Sequence, residues 1–175
     1  MLVLIIGGSA SGKSEFAENI AVNLATHKVY IATMQCFDTK RDARIQRHQT
    51  MRMSKGFVTK EIPYDIHLAT LPFETDLILV ECISTLLANE IYSNHTPHET
   101  VVSKIMDNLC VLYKSKKHSI LVSNDVFCDT DAYEQQTLNY RKYLGSLHTQ
   151  LAQKADVVIE VVAGIPIYHK GAFCI

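Results

Sequence analysis

The feature that most constrains this chain is its start, Leu2-Val3-Leu4-Ile5-Ile6 followed at once by Gly7-Gly8-Ser9-Ala10-Ser11-Gly12-Lys13-Ser14. A short apolar run that empties into G-x-x-x-x-G-K-S, with a helical pattern behind it, reads as a strand, a phosphate-cradling loop and a helix. Glycines let the backbone bend tightly, so that successive N–H groups converge on an anion at the positive end of the helix. Lys13 then reaches the β- and γ-phosphates of a nucleotide, and Ser14 offers its hydroxyl to Mg²⁺. A glycine-rich turn that binds nothing has no need of lysine and serine at its last two positions. Gly7, Gly8, Ser9, Ala10, Ser11, Gly12, Lys13 and Ser14 are therefore the expected nucleotide-binding residues.

A chain of 175 residues, 47% of them hydrophobic, can bury a substantial core, and one domain over residues 1–175 is expected. The net charge of −1 argues against an electrostatic nucleic-acid or membrane binder, since such partners leave a basic excess. Residues 1–6 are too short for a secretory hydrophobic region, and no run approaches the ~20 residues of a membrane span. The expectation is a cytoplasmic protein that binds a small anion. Cys36, Cys82, Cys110, Cys128 and Cys174 include no C-x-x-C pair and are odd in number, which is neither a disulfide framework nor a zinc pattern. His95 and His98 form H-x-x-H in a polar stretch, where a solvated loop is the simpler reading than a metal site.

Along the chain, Phe16, Ile20 and Leu24 recur at helical spacing to about Ala25, and Val29 to Ala32 reads as a second strand with Thr33 at its exit. Glu61-Ile62-Pro63 is extended, because a residue before proline avoids helical angles. Asp76 to Glu81 is an apolar strand ending in a carboxylate. Ile83, Leu87 and Ile91 mark a short helix, and Pro97 opens another that carries Val101, Ile105, Leu109 and Leu112 on one face. Ser119 to Asn124 is a strand, a turn-like stretch lies between Cys128 and Tyr133, and Tyr140, Leu144, Leu147 and Leu151 stripe a long helix ending near Lys154. Asp156 to Val162 is a strand, Gly164-Ile165-Pro166 turns the chain, and Ile167 to Lys170 suits a short edge strand. Strands alternating with helices predict an α/β fold with a mainly parallel central sheet.

Ligands of such sheets sit at the carboxyl ends of the strands. That rule sets the glycine-rich loop, Thr33, Glu81 and Asn124-Asp125 along one rim. Glu81, at the end of an apolar strand, suits a place near Mg²⁺ or its waters better than a bare strand terminus. Arg44, His48 and Arg52 follow at i, i+4 and i+8 after Asp38, with Arg41 beside them, and on a helix they share one face. A solvated basic face explains that spacing as well as a site does. The histidine between two arginines adds a chemical reason for a site: nearby positive charge disfavours its protonation and keeps a ring nitrogen free as a nucleophile, while the arginines hold phosphates. The combination suits transfer of a nucleotidyl or phosphoryl group through a covalent histidine.

With those residues in view, the chain resembles the bifunctional adenosylcobinamide kinase / adenosylcobinamide-phosphate guanylyltransferase family of cobalamin biosynthesis, from about Leu2 to Lys170. The likeness rests on the glycine-rich loop, Tyr30-Ile31-Ala32-Thr33, Arg44-Ile45-x-x-His48-x-x-x-Arg52 and Thr59-x-Glu61. It continues through Leu79-Val80-Glu81-Cys82-Ile83-Ser84-Thr85 with Asn89, Val122-Ser123-Asn124-Asp125-Val126, and Ala155-Asp156 leading to Gly164-Ile165-Pro166. The resemblance implies a RecA-like P-loop NTPase fold and a homotrimer with the nucleotide site near a subunit boundary. It also implies phosphorylation of the aminopropanol hydroxyl of adenosylcobinamide by ATP or GTP. GMP then passes from GTP to that phosphate through a guanylylated histidine, His48. Lys13 and Ser14 would hold GTP phosphates and Mg²⁺, Glu81 would lie near the metal, and Thr33, Arg44, Arg52 and Glu61 complete the implied nucleotide site. The partners implied are GTP or ATP and a corrinoid. Departures fall in one place: the family's N-E-V-G is here Asn124-Asp125-Val126-Phe127, and its F-R-D-x-x-G-x-x-N-Q is here Tyr140-Arg141-Lys142-x-x-Gly145-x-x-His148-Thr149. They bear on corrinoid recognition and the kinase step.

Overall fold

A computed structural model of the chain describes residues 1–35, 55–127 and 133–173. Its strands are β1 (Leu2–Gly7), β2 (Lys28–Ala32), β3 (Phe57–Glu61), β4 (Leu77–Glu81), β5 (His118–Asn124), β6 (Val157–Val162) and β7 (Ile165–Lys170). The helices are α1 (Lys13–Leu24), α2 (Ile83–Tyr92), α3 (Val101–Lys114) and α4 (Gln135–Lys154), with a single 3₁₀ turn at Ile66–Leu68. One sheet holds all the strands in the order β3-β2-β4-β5-β1-β6-β7. Every neighbouring pair is parallel except β6 and β7, which form an antiparallel hairpin.

The central strands are buried on both faces, which is why they read in sequence as apolar runs rather than as alternation. Their side chains still divide by parity. Val3, Ile5, Tyr30, Leu77, Leu79, Ile120 and Val122 pack on one face with Ala17, Ile20 and Ala21 of α1. Leu4, Ile31, Ile78, Val80 and Leu121 pack on the other with Leu86, Leu87, Ile105, Leu109, Leu144, Leu147 and Leu151 of α2, α3 and α4. The helical stripes expected from the sequence are the ones that meet the sheet. Among the described residues no helix is long and apolar enough to cross a membrane.

Three boundaries differ from the sequence expectation. Phe57–Glu61 is a full strand, paired to β2 from Lys28↔Phe57 to Ala32↔Glu61, although it carries no apolar run. It is the sheet's edge, half exposed, so it does not need one. The helix assigned to Pro97 begins instead at Val101. Thr96 is tied back to α2 through its N–H to Glu90 O (2.8 Å) and its hydroxyl to Glu90 Oε2 (2.8 Å), and a turn closed by Thr100 N–H to Pro97 O comes before the helix. β7 starts at Ile165, ahead of Pro166, because the turn is finished by Ala163 and Gly164, both at positive φ (49° and 81°). That is the backbone of a tight two-residue hairpin, and Pro166 is tolerated on an edge strand.

Glu90 anchors the connection between β3 and β4. It is 1% exposed and accepts hydrogen bonds from the Asp65 N–H, Asn94, Thr96 and Lys104, whose ammonium also reaches Asp65 at 2.7 Å. Burial pushes the Glu90 carboxyl upward, but those donors outweigh it and hold the group below its usual range.

Candidate active site

The glycine-rich loop leaves β1 at Gly7 and enters α1 through Gly12, whose φ of 88° is left-handed and open to glycine. Gly7 is required by close approach: a Cβ there would meet Ser11 Oγ and the Val161 carbonyl, each at 2.6 Å. The β6–β7 turn braces the loop from the side, Gly164 N–H donating to Ser11 O at 2.8 Å. α1 starts without a side-chain cap directly after the glycine-rich loop, and a helix N-terminus in that position is the arrangement that receives an anion. Lys13 is nearly buried and its ammonium donates to Gly8 O at 3.0 Å, folded across the loop. Ser11 Oγ is buried and without a hydrogen-bond partner among the described residues.

Ser14, in the first turn of α1, donates its hydroxyl to Glu81 Oε1 at the end of β4. The two are not on neighbouring strands: β5 lies between β1 and β4, and α1 spans it. The other oxygen of Glu81 accepts from the Tyr30 phenol at 2.9 Å. Glu81 is followed by a cis peptide to Cys82. Behind it, Thr33 Oγ1 accepts from Cys82 N–H (2.7 Å) and donates to Cys82 O (2.9 Å), so this fully buried hydroxyl holds the exit of β4 against that of β2. Asn89 Nδ2 donates to Thr33 O (2.7 Å) and Pro63 O (3.0 Å), joining the exits of β2 and β3. Asn124 Nδ2 donates to Ser84 Oγ at 3.0 Å, and the Tyr140 hydroxyl donates to Ser84 O at 2.8 Å. The rim is thus pinned by side-chain amides and hydroxyls from β5, α2 and α4.

Glu61 closes β3 at the same rim, opposite Ala32, and is exposed. Ala32 also pairs with Glu81, so the two carboxylates flank one small residue in a single row across the sheet. Arg44, His48 and Arg52 lie outside the described residues, as do Asp38, Arg41, Cys36, Cys128 and Cys174. The structure therefore joins the loop, through Ser14, to Glu81 and Thr33, whereas Glu61 stands on the same rim at the edge of the sheet, with β2, β4 and β5 between it and β1. Tyr30, Asn89 and Gly164 enter the sequence analysis only as residues that carry the family likeness, with no role assigned to them in the site. A tyrosine in an otherwise aliphatic strand is a readable signal, because a buried phenol seeks a partner.

The segment that departs from the family pattern folds onto itself. Asp125 N–H donates to Gly7 O at 2.9 Å, which sets this segment beside the loop. The Phe127 ring lies 3.7 Å from where a Cβ on Gly145 would stand and meets the His148 ring edge-on at 5.8 Å. Arg141 donates to Phe127 O and lies over the rings of Phe127 and Tyr133. His148 is buried with Nε2 at 2.7 Å from Ser123 Oγ. Burial lowers its pKa to about 4, against a smaller upward pull from Asp125.

His148 consequently titrates differently folded and unfolded. As pH falls through about 6.5 the unfolded chain takes up the proton while the folded chain stays neutral until about 4. Stability is fully present above about pH 6.5 and declines toward pH 4, by about 3 kcal/mol from this group alone. Denaturant unfolding at stepped pH should show that decline, and His148→Asn should flatten it; an unchanged slope in the variant would remove His148 as its source.

Comparison with known proteins bears on what such a site does. The profile of a family described as cobinamide kinase / cobinamide phosphate guanyltransferase matches residues 3–168. The chain is 29% identical over 182 residues to the bifunctional adenosylcobalamin biosynthesis protein CobU of Salmonella typhimurium, covering 97% of this chain and 100% of that one. It is 30% identical over 171 residues to the bifunctional adenosylcobalamin biosynthesis protein CobP of Pseudomonas aeruginosa, covering 96% of each. Among solved structures, the flagellar accessory protein FlaH from Methanocaldococcus jannaschii superposes with a TM-score of 0.55 at 16% identity, over 97% of this chain and 78% of that one. At that identity the likeness concerns the fold, the P-loop NTPase sheet, and nothing further.

Proposed function

This chain belongs to the cobinamide kinase / cobinamide phosphate guanyltransferase family, a kinase and nucleotidyltransferase of cobalamin biosynthesis, and we propose that it performs both steps at the rim built around the P-loop, with His48 as the residue that carries GMP. The observation that supports this siting best is the meeting of Ser14, in the first turn of α1, with Glu81, at the end of β4, at the mouth of the loop.

In the kinase step, the aminopropanol hydroxyl of adenosylcobinamide attacks the γ-phosphorus of ATP or GTP, loses its proton, and a nucleoside diphosphate leaves. Lys13 and the N–H groups of the loop and of α1 take the charge that shifts onto the β–γ bridge. In the transfer step, a ring nitrogen of His48 attacks the α-phosphorus of GTP. A P–N bond forms, the α–β P–O bond breaks, and pyrophosphate departs. A phosphate oxygen of adenosylcobinamide phosphate then attacks the same phosphorus, the P–N bond breaks, and adenosylcobinamide-GDP is released with the imidazole restored. Arg44 and Arg52 hold phosphates and keep His48 neutral, Glu61 faces the nucleotide from the edge strand β3, and Thr33 acts through the backbone it fixes.

The residues present fit Mg²⁺. Ser14 and Glu81 offer a hydroxyl and a carboxylate in contact, hard oxygen donors, and one carboxylate beside nucleotide phosphates is how this ion is commonly held. When bound it would supply positive charge against the phosphates. The unpaired Ser11 hydroxyl is a further polar group that an anion in the loop would satisfy. The homotrimer belongs to the same proposal and rests on family resemblance.

Incubation with Mg²⁺ and α-labelled GTP should deposit an acid-labile, base-stable label on the protein, as a phosphoramidate does. Adenosylcobinamide phosphate added afterwards should remove it into product. Adenosylcobinamide with γ-labelled ATP or GTP should accept the γ label. A wild-type protein that takes up no α label would overturn the transfer mechanism, and one that takes it up but never releases it to the corrinoid phosphate would overturn the acceptor.

A further inference from the structure

We propose that Tyr30 is the positioning residue of the metal-side carboxylate: its phenol fixes one oxygen of Glu81 so that the other is presented to Ser14. The inference rests on the reading of Glu81 as lying on the metal side of the nucleotide site.

Register explains how the contact arises. Tyr30 pairs with Leu79 across β2 and β4, so Glu81 stands two residues further along on the same face, a diagonal neighbour that a long aromatic side chain can reach. That face is the one α1 covers, and α1 carries Ser14 in its first turn. The ring of Phe57, from β3, meets Tyr30 edge-on at 6.0 Å and steadies it from the other side. The phenol is left pointing along the sheet to the rim, where it meets Glu81 Oε2 at 2.9 Å.

Composition of the face adds to the argument. Two buried polar side chains of β2 share this face: Lys28, whose ammonium donates to Ala25 O and Thr26 O, and Tyr30, whose phenol is aimed at the rim. Tyr30 is 4% exposed, so the hydroxyl cannot be there for water. A phenylalanine would fill the same volume and pack against Phe57 equally well. What the hydroxyl adds is a directed bond to a carboxylate whose other oxygen is engaged by Ser14. A carboxylate held at both oxygens cannot rotate about its terminal torsion, which is otherwise broad. A site for a cation with strict octahedral demands gains from that restriction.

The test compares wild type, Tyr30→Phe and Glu81→Gln in the binding of a fluorescent GTP analogue, titrated with Mg²⁺ and repeated in EDTA, with thermal unfolding alongside. Tyr30→Phe should leave binding in EDTA within about twofold and the melting temperature nearly unchanged. It should raise the Mg²⁺ concentration for half-maximal effect about tenfold, the order of one charge-assisted hydrogen bond. Glu81→Gln should raise it further. A Tyr30→Phe curve that overlays wild type while Glu81→Gln shifts would overturn the positioning role and leave Glu81 in place. A loss in EDTA equal to the loss in Mg²⁺ would show Tyr30 to be structural only and also overturn it. No shift in Glu81→Gln would overturn the metal-side reading itself, and the role of Tyr30 with it.

Discussion

His48→Ala abolishes the protein-bound label from α-labelled GTP while leaving the GTP analogue able to bind. A covalent nucleotidyl intermediate depends on one nucleophilic nitrogen, and removing it leaves no partial route, so the expected effect is complete loss rather than a graded decline. The protein has eight histidines. His148 is the one the structure packs beside the loop's neighbouring segment, and it cannot stand in: it is buried, edge-on against Phe127, and its Nε2 is engaged by Ser123 Oγ. The assignment of the covalent role to His48 rests on the family resemblance carried by Arg44-Ile45-x-x-His48-x-x-x-Arg52. Mass measurement of the intact protein after GTP treatment reads the result directly. A persistent GMP adduct in the variant would place the covalent residue elsewhere.

Lys13→Ala has the second largest effect, on binding itself. The lysine is nearly buried with its ammonium against Gly8 O, so it is already held where phosphates enter and needs little reorganisation to meet them. Loss of a charge-assisted contact of about 1.5–3 kcal/mol corresponds to roughly 10- to 150-fold weaker binding of GTP. Both half-reactions should fall at least as far, because the same ammonium faces the charge that develops on the leaving phosphates. Titration with the fluorescent GTP analogue checks it, and circular dichroism with thermal unfolding separates lost contact from lost fold. Unchanged affinity in a folded variant would mean that the glycine-rich loop does not grip a nucleotide.

Much of this site could be read before any coordinate. Gly7 to Ser14 are consecutive, and their chemistry is set by backbone they themselves supply, so the motif and its neighbouring strand and helix appear together in the sequence. Leu77 to Val80 and Ser119 to Ser123 were legible as buried strands because both faces are covered and the apolar run is continuous. Phe57 to Glu61 was not recognised as a strand, since an edge strand open to water needs no such run. Val101 rather than Pro97 begins α3 because Thr96 is tied to Glu90, a contact from another helix that no local preference announces.

The amino-acid sequence by itself pointed to a glycine-rich nucleotide-binding loop between β1 and α1 and to a mainly parallel sheet. Those conclusions depend on residues close together in the chain. Only the tertiary structure decided which groups meet: that Ser14 reaches Glu81 across an intervening strand, that Tyr30 holds the far oxygen of that carboxylate, and that Gly164 braces the loop from the opposite end of the chain. The physical reason is register. In a sheet whose side chains alternate between faces, a shift of one residue in β2 against β4 would turn Tyr30 and Glu81 to opposite sides, and that alignment is fixed by hydrogen bonds between strands and by the packing of α1 over them.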